Sequence, residues 1–305
     1  RVTSMDALNI IPNLPKLYDE PFADSSQIPT YFICQAAREK VTVALSGDAG
    51  DELFGGYNRY FWGRRIWNKL DWLPLVLRRF LGQGISSFSV DTWDAMNYLL
   101  PSHYRITNLG DKAHKIAYRL ERVQNLDDLY RSLVTIWPER MNLVQHSNQL
   151  PTILDDIKVV DNISEAEQRM MLWDSLTYLP DDILTKVDRA AMAVSLETRI
   201  PFLDHHVAEL AWRLPLHMKI RNGQGKWALR QVLYKYVPRD LIERPKAGFA
   251  IPVGHWLRGP LRDWAEDLIN ETRLQSEGYL NSQLVRKTWQ QHLSKQRDWS
   301  QQLWS

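Results

Sequence analysis

Three carboxylates fall within five positions of one turn: Asp48, Asp51 and Glu52, in the stretch Ser46-Gly47-Asp48-Ala49-Gly50-Asp51-Glu52-Leu53-Phe54-Gly55-Gly56-Tyr57. So many like charges repel one another unless a cation or hydrogen-bond donors hold them, and Mg²⁺ takes oxygen ligands of this kind. Gly47 and Gly50 let backbone N–H groups come close to a phosphate or a substrate carboxylate. A plainer reading stands beside that one. A Gly/Asp turn after a strand is often only a turn, and acids at the start of a helix suit its dipole. Local chemistry alone does not separate the two.

Other residues with chemical capacity are scattered. Leu179-Pro180-Asp181-Asp182 opens a helix, with Pro180 in its first turn and two acids beside it. Asp182, Lys186 and Arg189 share a face and can meet in sequence along it, which on an open surface would contribute only ~0.3–0.5 kcal/mol per pair. Lys246 sits in Glu243-Arg244-Pro245-Lys246-Ala247-Gly248-Phe249-Ala250-Ile251-Pro252, a Pro/Gly-bounded loop where a lysine is by default a surface residue. His205-His206 invites a metal reading, but adjacent loop histidines are expected to point apart and no further His or Cys lies at ligand spacing. Cys34 lies in Tyr31-Phe32-Ile33-Cys34-Gln35-Ala36-Ala37 and reads as a buried helix residue.

The elements that must position these residues can be read from pattern. The apolar, β-branched run Val41-Thr42-Val43-Ala44-Leu45 is predicted to be a strand buried on both faces of a parallel sheet. The acidic turn then lies beyond its carboxyl end, where open α/β sheets bind ligands. Asp24, Ser25 and Ser26 are N-cap candidates for a helix over Pro29 to Ala37. Asn58 to Leu81 interleaves aromatic and basic residues. Helical spacing of its apolar positions favours a packed helix with a snorkelling basic face over a single-strand nucleic-acid platform. Val90 to Asp161 is mostly helical and carries no chemical motif. Asn222-Gly223-Gln224-Gly225 reads as a turn before an amphipathic helix from Lys226 to Val237, closed by Pro238.

Composition narrows the class. With 305 residues, 44% apolar and 24% charged, the chain is an ordinary globular sequence able to bury a sizeable core. A net charge of +2, without a Lys/Arg cluster, argues against a nucleic-acid partner. One cysteine excludes an internal disulfide and suits a reducing, cytoplasmic setting. No run is apolar and long enough to cross a bilayer.

The whole word Ser46 to Tyr57 is more specific than its parts. It resembles the S-G-(E/D)-G-(S/G)-D-E-(V/L)-F-G-G-Y segment of the synthetase domain of glutamine-hydrolysing asparagine synthetases, with Ala49 in place of the usual Gly. The likeness recurs. Asp19-Glu20-Pro21-Phe22-Ala23-Asp24-Ser25-Ser26 is similar to D-E-P-F-x-D-x-S. Asp188 to Asp204 is similar to D-R-x-x-M-A-x-x-x-E-x-R-x-P-F-L-D, where Glu197 and Arg199 are expected to form structural ion pairs. Arg244 to Pro252, followed by Trp256-Leu257, resembles the loop carrying that family's catalytic lysine.

The resemblance covers nearly the whole chain and implies an α/β, mostly helical fold, the remainder of a parallel-sheet ATP-pyrophosphatase domain. Expected parts are residues 1–66 for the nucleotide-binding sheet portion, 67–165 for a helical segment and 166–305 for a helical segment with the catalytic loop. The family's glutaminase domain, with its terminal Cys, and its S-G-G-x-D-S pyrophosphate loop are not in this sequence, so it reads as a fragment of a longer protein. The implied reaction is ATP-dependent amide formation. The β-carboxylate of aspartate attacks the α-phosphorus of MgATP, and ammonia from glutamine then attacks the acyl-adenylate. Ser46 and Gly47 would contact the adenylate, and Asp51 would bind Mg²⁺ together with an Asp of the absent loop. Asp48 would position or deprotonate the amine, with an acid at Asp181 or Asp182 (taken as Asp182) as its partner. Lys246 would offset phosphate charge as pyrophosphate leaves, on a loop that Gly248 and Pro252 allow to close. The chain alone is then expected neither to adenylate aspartate nor to hold ATP tightly, and its bared sheet edge would allow a homodimer. Two alternatives stay open: the same chemistry on a sugar acid, peptide or other carboxylate, and a non-catalytic scaffold. Asp48 favours an amide former over a β-lactam former, where this position resembles Tyr.

Overall fold

The computed structural model describes residues 2–99, 101, 105–106, 109–137, 142–147, 150–243 and 251–305. It divides into two compact units, one of residues 1–64 and 151–251, the other of residues 65–150 and 252–305. Helices dominate both, and the described residues hold one small parallel sheet, so the architecture is α/β and mostly helical as expected.

In the first unit, strand β1 (Val43–Leu45) pairs in parallel with β2 (Glu197–Arg199), in the register Val43↔Glu197, Ala44↔Thr198 and Leu45↔Arg199. The ladder continues at both ends, with Glu197 N–H donating to the Thr42 carbonyl (2.9 Å) and Ser46 N–H donating to the Arg199 carbonyl (2.8 Å). The first residue of the acidic turn is therefore fixed by the sheet itself. Burial on both faces does not hold. Val43 is 38% exposed and Leu45 74% exposed, because two strands alone leave the pleat uncovered. β2 is a second departure, since its Glu197-Thr198-Arg199 lacks an apolar run. The chain enters it through Ser195, whose φ of +59° ends the helix Thr185–Met192 in the left-handed region usual for such stops.

Two apolar clusters clamp this sheet and its turn. On one side Cys34, from the helix Gln27–Arg38, packs against Ala190, Ala191 and Leu196, with Ala44 of β1 alongside. Alanines that are essentially fully buried let the helices approach closely, and Cys34 is the buried helix residue the sequence predicts. On the other side Ala49, Leu53 and Phe54 pack with Leu179 and Ala211. The turn thus has an apolar underside, and its carboxylates alternate with the residues that hold it down.

The second unit is helical. Leu75–Ser86 crosses Leu109–Arg122 where Gly82 faces the Ala117 carbonyl at a distance no side chain would allow. Trp256, Trp289 and Trp299 are almost wholly buried in its remaining helices, as a tryptophan-rich sequence requires. The long helix expected from Asn58 to Leu81 is two helices, Asn58–Trp67 and Leu75–Ser86, broken at Pro74. Among the described residues no helix is long and apolar enough to cross a membrane.

Candidate active site

The turn after β1 is tight. The hydroxyl of Ser46 donates to Asp48, and the Asp48 N–H points back at that hydroxyl (3.4 Å), so one side chain organises the loop tip. Ala49 follows with φ +65°, which explains why the resembling family favours Gly there. Gly50 then opens the short helix Gly50–Phe54, which ends at Gly55 with φ +70°. A methyl group on Gly47 would meet nothing within 4 Å, so the space above it is open to a ligand.

Glu52, unlike its acidic neighbours, is buried. It accepts a hydrogen bond from the Tyr57 hydroxyl (2.6 Å), and burial raises its pKa despite that bond. It serves the fold. Burial and the Glu52 charge in turn push the Tyr57 phenol well above its ordinary range. Beside it, the fully buried Asp174 is met by Arg59 (2.7 Å) and by the Tyr60 hydroxyl, and the Arg59 guanidinium lies over the rings of Tyr57 (4.2 Å) and Tyr178 (5.1 Å).

Asp51 has a partner that the sequence did not reveal. Its Oδ1 lies 3.0 Å from Nζ of Lys226. The amphipathic helix begins at Trp227, not Lys226, and Lys226 itself is left-handed with φ +56°. That conformation lets its N–H donate to the Phe54 carbonyl (3.0 Å) while its side chain reaches Asp51. The glycines make room: a Cβ on Gly225 would stand 2.2 Å from the Gly55 carbonyl, and one on Gly56 would stand 1.8 Å from Asp51 Oδ1. The available signal was Gly223 and Gly225 immediately before a lysine.

The second acidic group lies where the helix Ala166–Leu176 gives way to a π-turn, Leu179–Leu184. Such widened turns recur at functional sites. Here Asp181 is exposed and Asp182 half-buried, which separates the two sequence candidates. Asp182 meets Lys186 at 3.1 Å, and Lys186 also meets Asp24 from the loop before Gln27–Arg38. Burial raises the Asp182 carboxyl to a pKa of about 6, against the pull of Lys186 and with a push from Asp24. Arg189 does not extend the ladder, pairing instead with neighbouring Asp188 (3.2 Å). Among the described residues no hydrogen bond or ion pair joins Asp48 to Asp182. Cys34 lies within electrostatic reach of Asp48, and Tyr18 within reach of Cys34, Asp24 and Asp182.

Lys246, with Gly248, lies outside the described residues. Glu197 and Arg199 do pair (2.7 Å), as an exposed contact within β2. His205 and His206 begin a helix, and their rings touch at 3.8 Å instead of pointing apart. Among the described residues no group of three or more His, Cys, Asp or Glu is gathered to hold an ion. Asp51 offers carboxylate oxygens beside an ammonium, less than the near-octahedral set Mg²⁺ requires, so these residues alone do not compose a magnesium site.

The Asparagine synthase family model matches residues 1–305. "Asparagine synthetase [glutamine-hydrolyzing] 1" of Bacillus subtilis (strain 168) is 31% identical over 311 residues, spanning 100% of this chain and 45% of the relative. A Mycobacterium tuberculosis (strain ATCC 25618 / H37Rv) protein also named for glutamine-hydrolysing asparagine synthetase is 32% identical over 305 residues, spanning 100% of this chain and 44% of the relative. "Amidase chyE" of Penicillium rubens (strain ATCC 28089 / DSM 1075 / NRRL 1951 / Wisconsin 54-1255) is 23% identical over 284 residues, 84% of this chain and 39% of the relative. The chain thus spans less than half the length of the asparagine synthetases it matches. Matched along its whole length by the family model and by relatives above 30% identity, the chain belongs to the asparagine synthase family.

Proposed function

We propose that the chain is the synthetase portion of an ATP-dependent amide-forming ligase that makes asparagine from aspartate and glutamine-derived ammonia. The observation that carries the proposal is the turn at the end of β1, where Asp48 is held by Ser46 while Asp51 is met by Lys226, below an open space over Gly47. A carboxylate is a poor electrophile with a bad leaving group, so the reaction first makes a better one. An oxygen of the aspartate β-carboxylate bonds to the α-phosphorus of ATP, and the bond to pyrophosphate breaks. Ammonia then bonds to the acyl carbon, AMP leaves, and the amine sheds a proton.

Ser46 and Gly47 would line the adenylate. Lys226 would join Lys246 in offsetting phosphate charge, a preorganised role worth most where charge develops. Asp48 would orient the amine, and Asp182, whose carboxyl burial raises, would take its proton. Were Mg²⁺ to bind here, Asp51 would supply one of its oxygen ligands.

The test is product formation by the full-length gene product. Asparagine and AMP should appear only with aspartate, ATP and glutamine all present, and Lys246→Ala should lower turnover by about a hundredfold or more. Turnover with a larger carboxylate and none with aspartate would replace the acceptor, an outcome that the likeness to "Amidase chyE" keeps in view. Unchanged turnover in Lys246→Ala would return the chain to a scaffold.

A further inference from the structure

Lys186 stands between two carboxylates brought together from distant stretches of the chain, and the two are not equivalent. Its ammonium meets both Asp24 and Asp182. Asp24 is also fully occupied: Oδ1 accepts from the Ser26 N–H (2.9 Å) and Oδ2 from the Ser26 hydroxyl (2.6 Å) and from Lys186. Asp182 accepts from Lys186 (3.1 Å) and lies close enough to Asp24 for the two carboxyls to interact directly. Burial works against the charge on Asp24, but the bonds from Lys186 and Ser26 outweigh it and hold that carboxyl below its usual range. The same surroundings leave Asp182 raised. Two carboxyls whose environments push them apart divide the acid and base roles between them.

The other groups facing Asp182 are few. Tyr178 from the preceding turn and Tyr18 from the helix Leu14–Tyr18 both feel its charge. Burial, with that charge, lifts Tyr178 to about 12. Arg59 lies over the Tyr178 ring, and Cys34 lies within electrostatic reach of Tyr18. None competes with Lys186 for the Asp182 carboxylate. Lys186 is itself 6% exposed, and its backbone carbonyl accepts from the Tyr18 hydroxyl (3.2 Å).

We propose that Lys186 and Asp24 are positioning residues for Asp182: the shared ammonium holds the Asp182 carboxylate in place, and Asp24, tied down by Ser26 as well as by Lys186, leaves Asp182 the proton-accepting member. The proposal rests on the reading above in which Asp182 takes the proton of the attacking amine.

The test is a carbon-13 NMR pH titration of this chain labelled at aspartate carboxyls, with the Asp182 signal assigned by its loss in Asp182→Asn. Removing one neighbouring charge moves such a group by about one unit or more, a tenfold change in proton affinity. Asp24→Asn should lower the Asp182 midpoint and Lys186→Met should raise it, each by about that amount, while Lys186→Arg stays within about half a unit. Shifts of opposite sign from two neighbouring substitutions are not what a merely structural role gives. Midpoints that move together, or not at all, overturn the proposal. Should Lys186→Met fail to fold, Asp24→Asn and Lys186→Arg still decide it. In the full-length enzyme the acid limb of kcat/KM should follow the NMR midpoint. A limb that stays while the midpoint moves removes Asp182 as proton acceptor and leaves the shared charge standing.

Discussion

The ammonium of Lys226 lies 3.0 Å from Oδ1 of Asp51, and it fits there only because Gly56 has no side chain. Both side chains keep 28% of their surface in water, so the pair contributes at most about 1 kcal/mol to stability. Holding Lys226 at a left-handed φ costs about as much. The two effects cancel to within their size, so the fold gains almost nothing from the contact. What it does achieve is placement: a cation beside the acidic turn at the tip of β1.

The glycines around that contact differ in what they protect. A Cβ on Gly225 meets the Gly55 carbonyl at 2.2 Å, and backbone cannot swing aside, so Gly225→Ala should cost about 2–3 kcal/mol in urea denaturation. A Cβ on Gly56 meets Asp51 Oδ1 at 1.8 Å and Lys226 Cε at 2.4 Å, both of them side-chain atoms, so Gly56→Ala should cost about 1 kcal/mol and break the pair. Adding Lys226→Met to Gly56→Ala should then change stability no further. An extra loss in the double variant would mean the pair survives the methyl group.

Ala49 carries a left-handed φ of +65° and is 1% exposed, so its methyl group is both strained and buried. Glycine there would relieve about 1 kcal/mol of strain, give up about 0.8 kcal/mol of methyl burial, and add up to about 1 kcal/mol of unfolded-chain freedom. These nearly cancel. Ala49→Gly should therefore leave the urea midpoint close to wild type, whereas Ala49→Val, β-branched at positive φ, should destabilise by about 2 kcal/mol or more. Equal stability of the valine and alanine forms would show that the turn does not hold this conformation.

The acidic turn was legible because its parts are local: a β-branched run, then glycines, then acids in one stretch. Cys34 was legible for the same reason, lying on the apolar face of one helix. Lys226 was not, since only its φ and the bareness of Gly55 and Gly56, far away in the chain, bring it to Asp51. β2 was hidden too, because Glu197-Thr198-Arg199 is a strand by pairing with β1 and not by its own apolarity. Local pattern named Asp182 and Lys186 but gave no sign of their third member. Asp24 arrives from the loop before the helix Gln27–Arg38 and makes the pair a triad around the buried Lys186.

Lys219 gives the sharpest pH prediction. It ends the short helix Leu216–Lys219, is fully buried, and its ammonium has no hydrogen-bond partner among the described residues, although it lies 4.6 Å from the centre of the Trp212 ring. Burial lowers its pKa from 10.5 to about 8. A lysine whose folded pKa falls below its unfolded value destabilises the fold wherever both states are protonated. That penalty is full below about pH 8 and fades as pH rises towards 10.5, so wild-type stability should climb across this window. Lys219→Met keeps the bulk and removes the charge. It should stabilise the chain by about 1–3.5 kcal/mol at pH 7, the upper figure being the shift converted at about 1.4 kcal/mol per unit and the lower allowing for the attraction to Trp212. By about pH 10.5 the advantage should be gone. Urea denaturation of both proteins at the two pH values checks it. A methionine variant that is the less stable at pH 7 would mean the ammonium is held by the Trp212 face more strongly than burial opposes it.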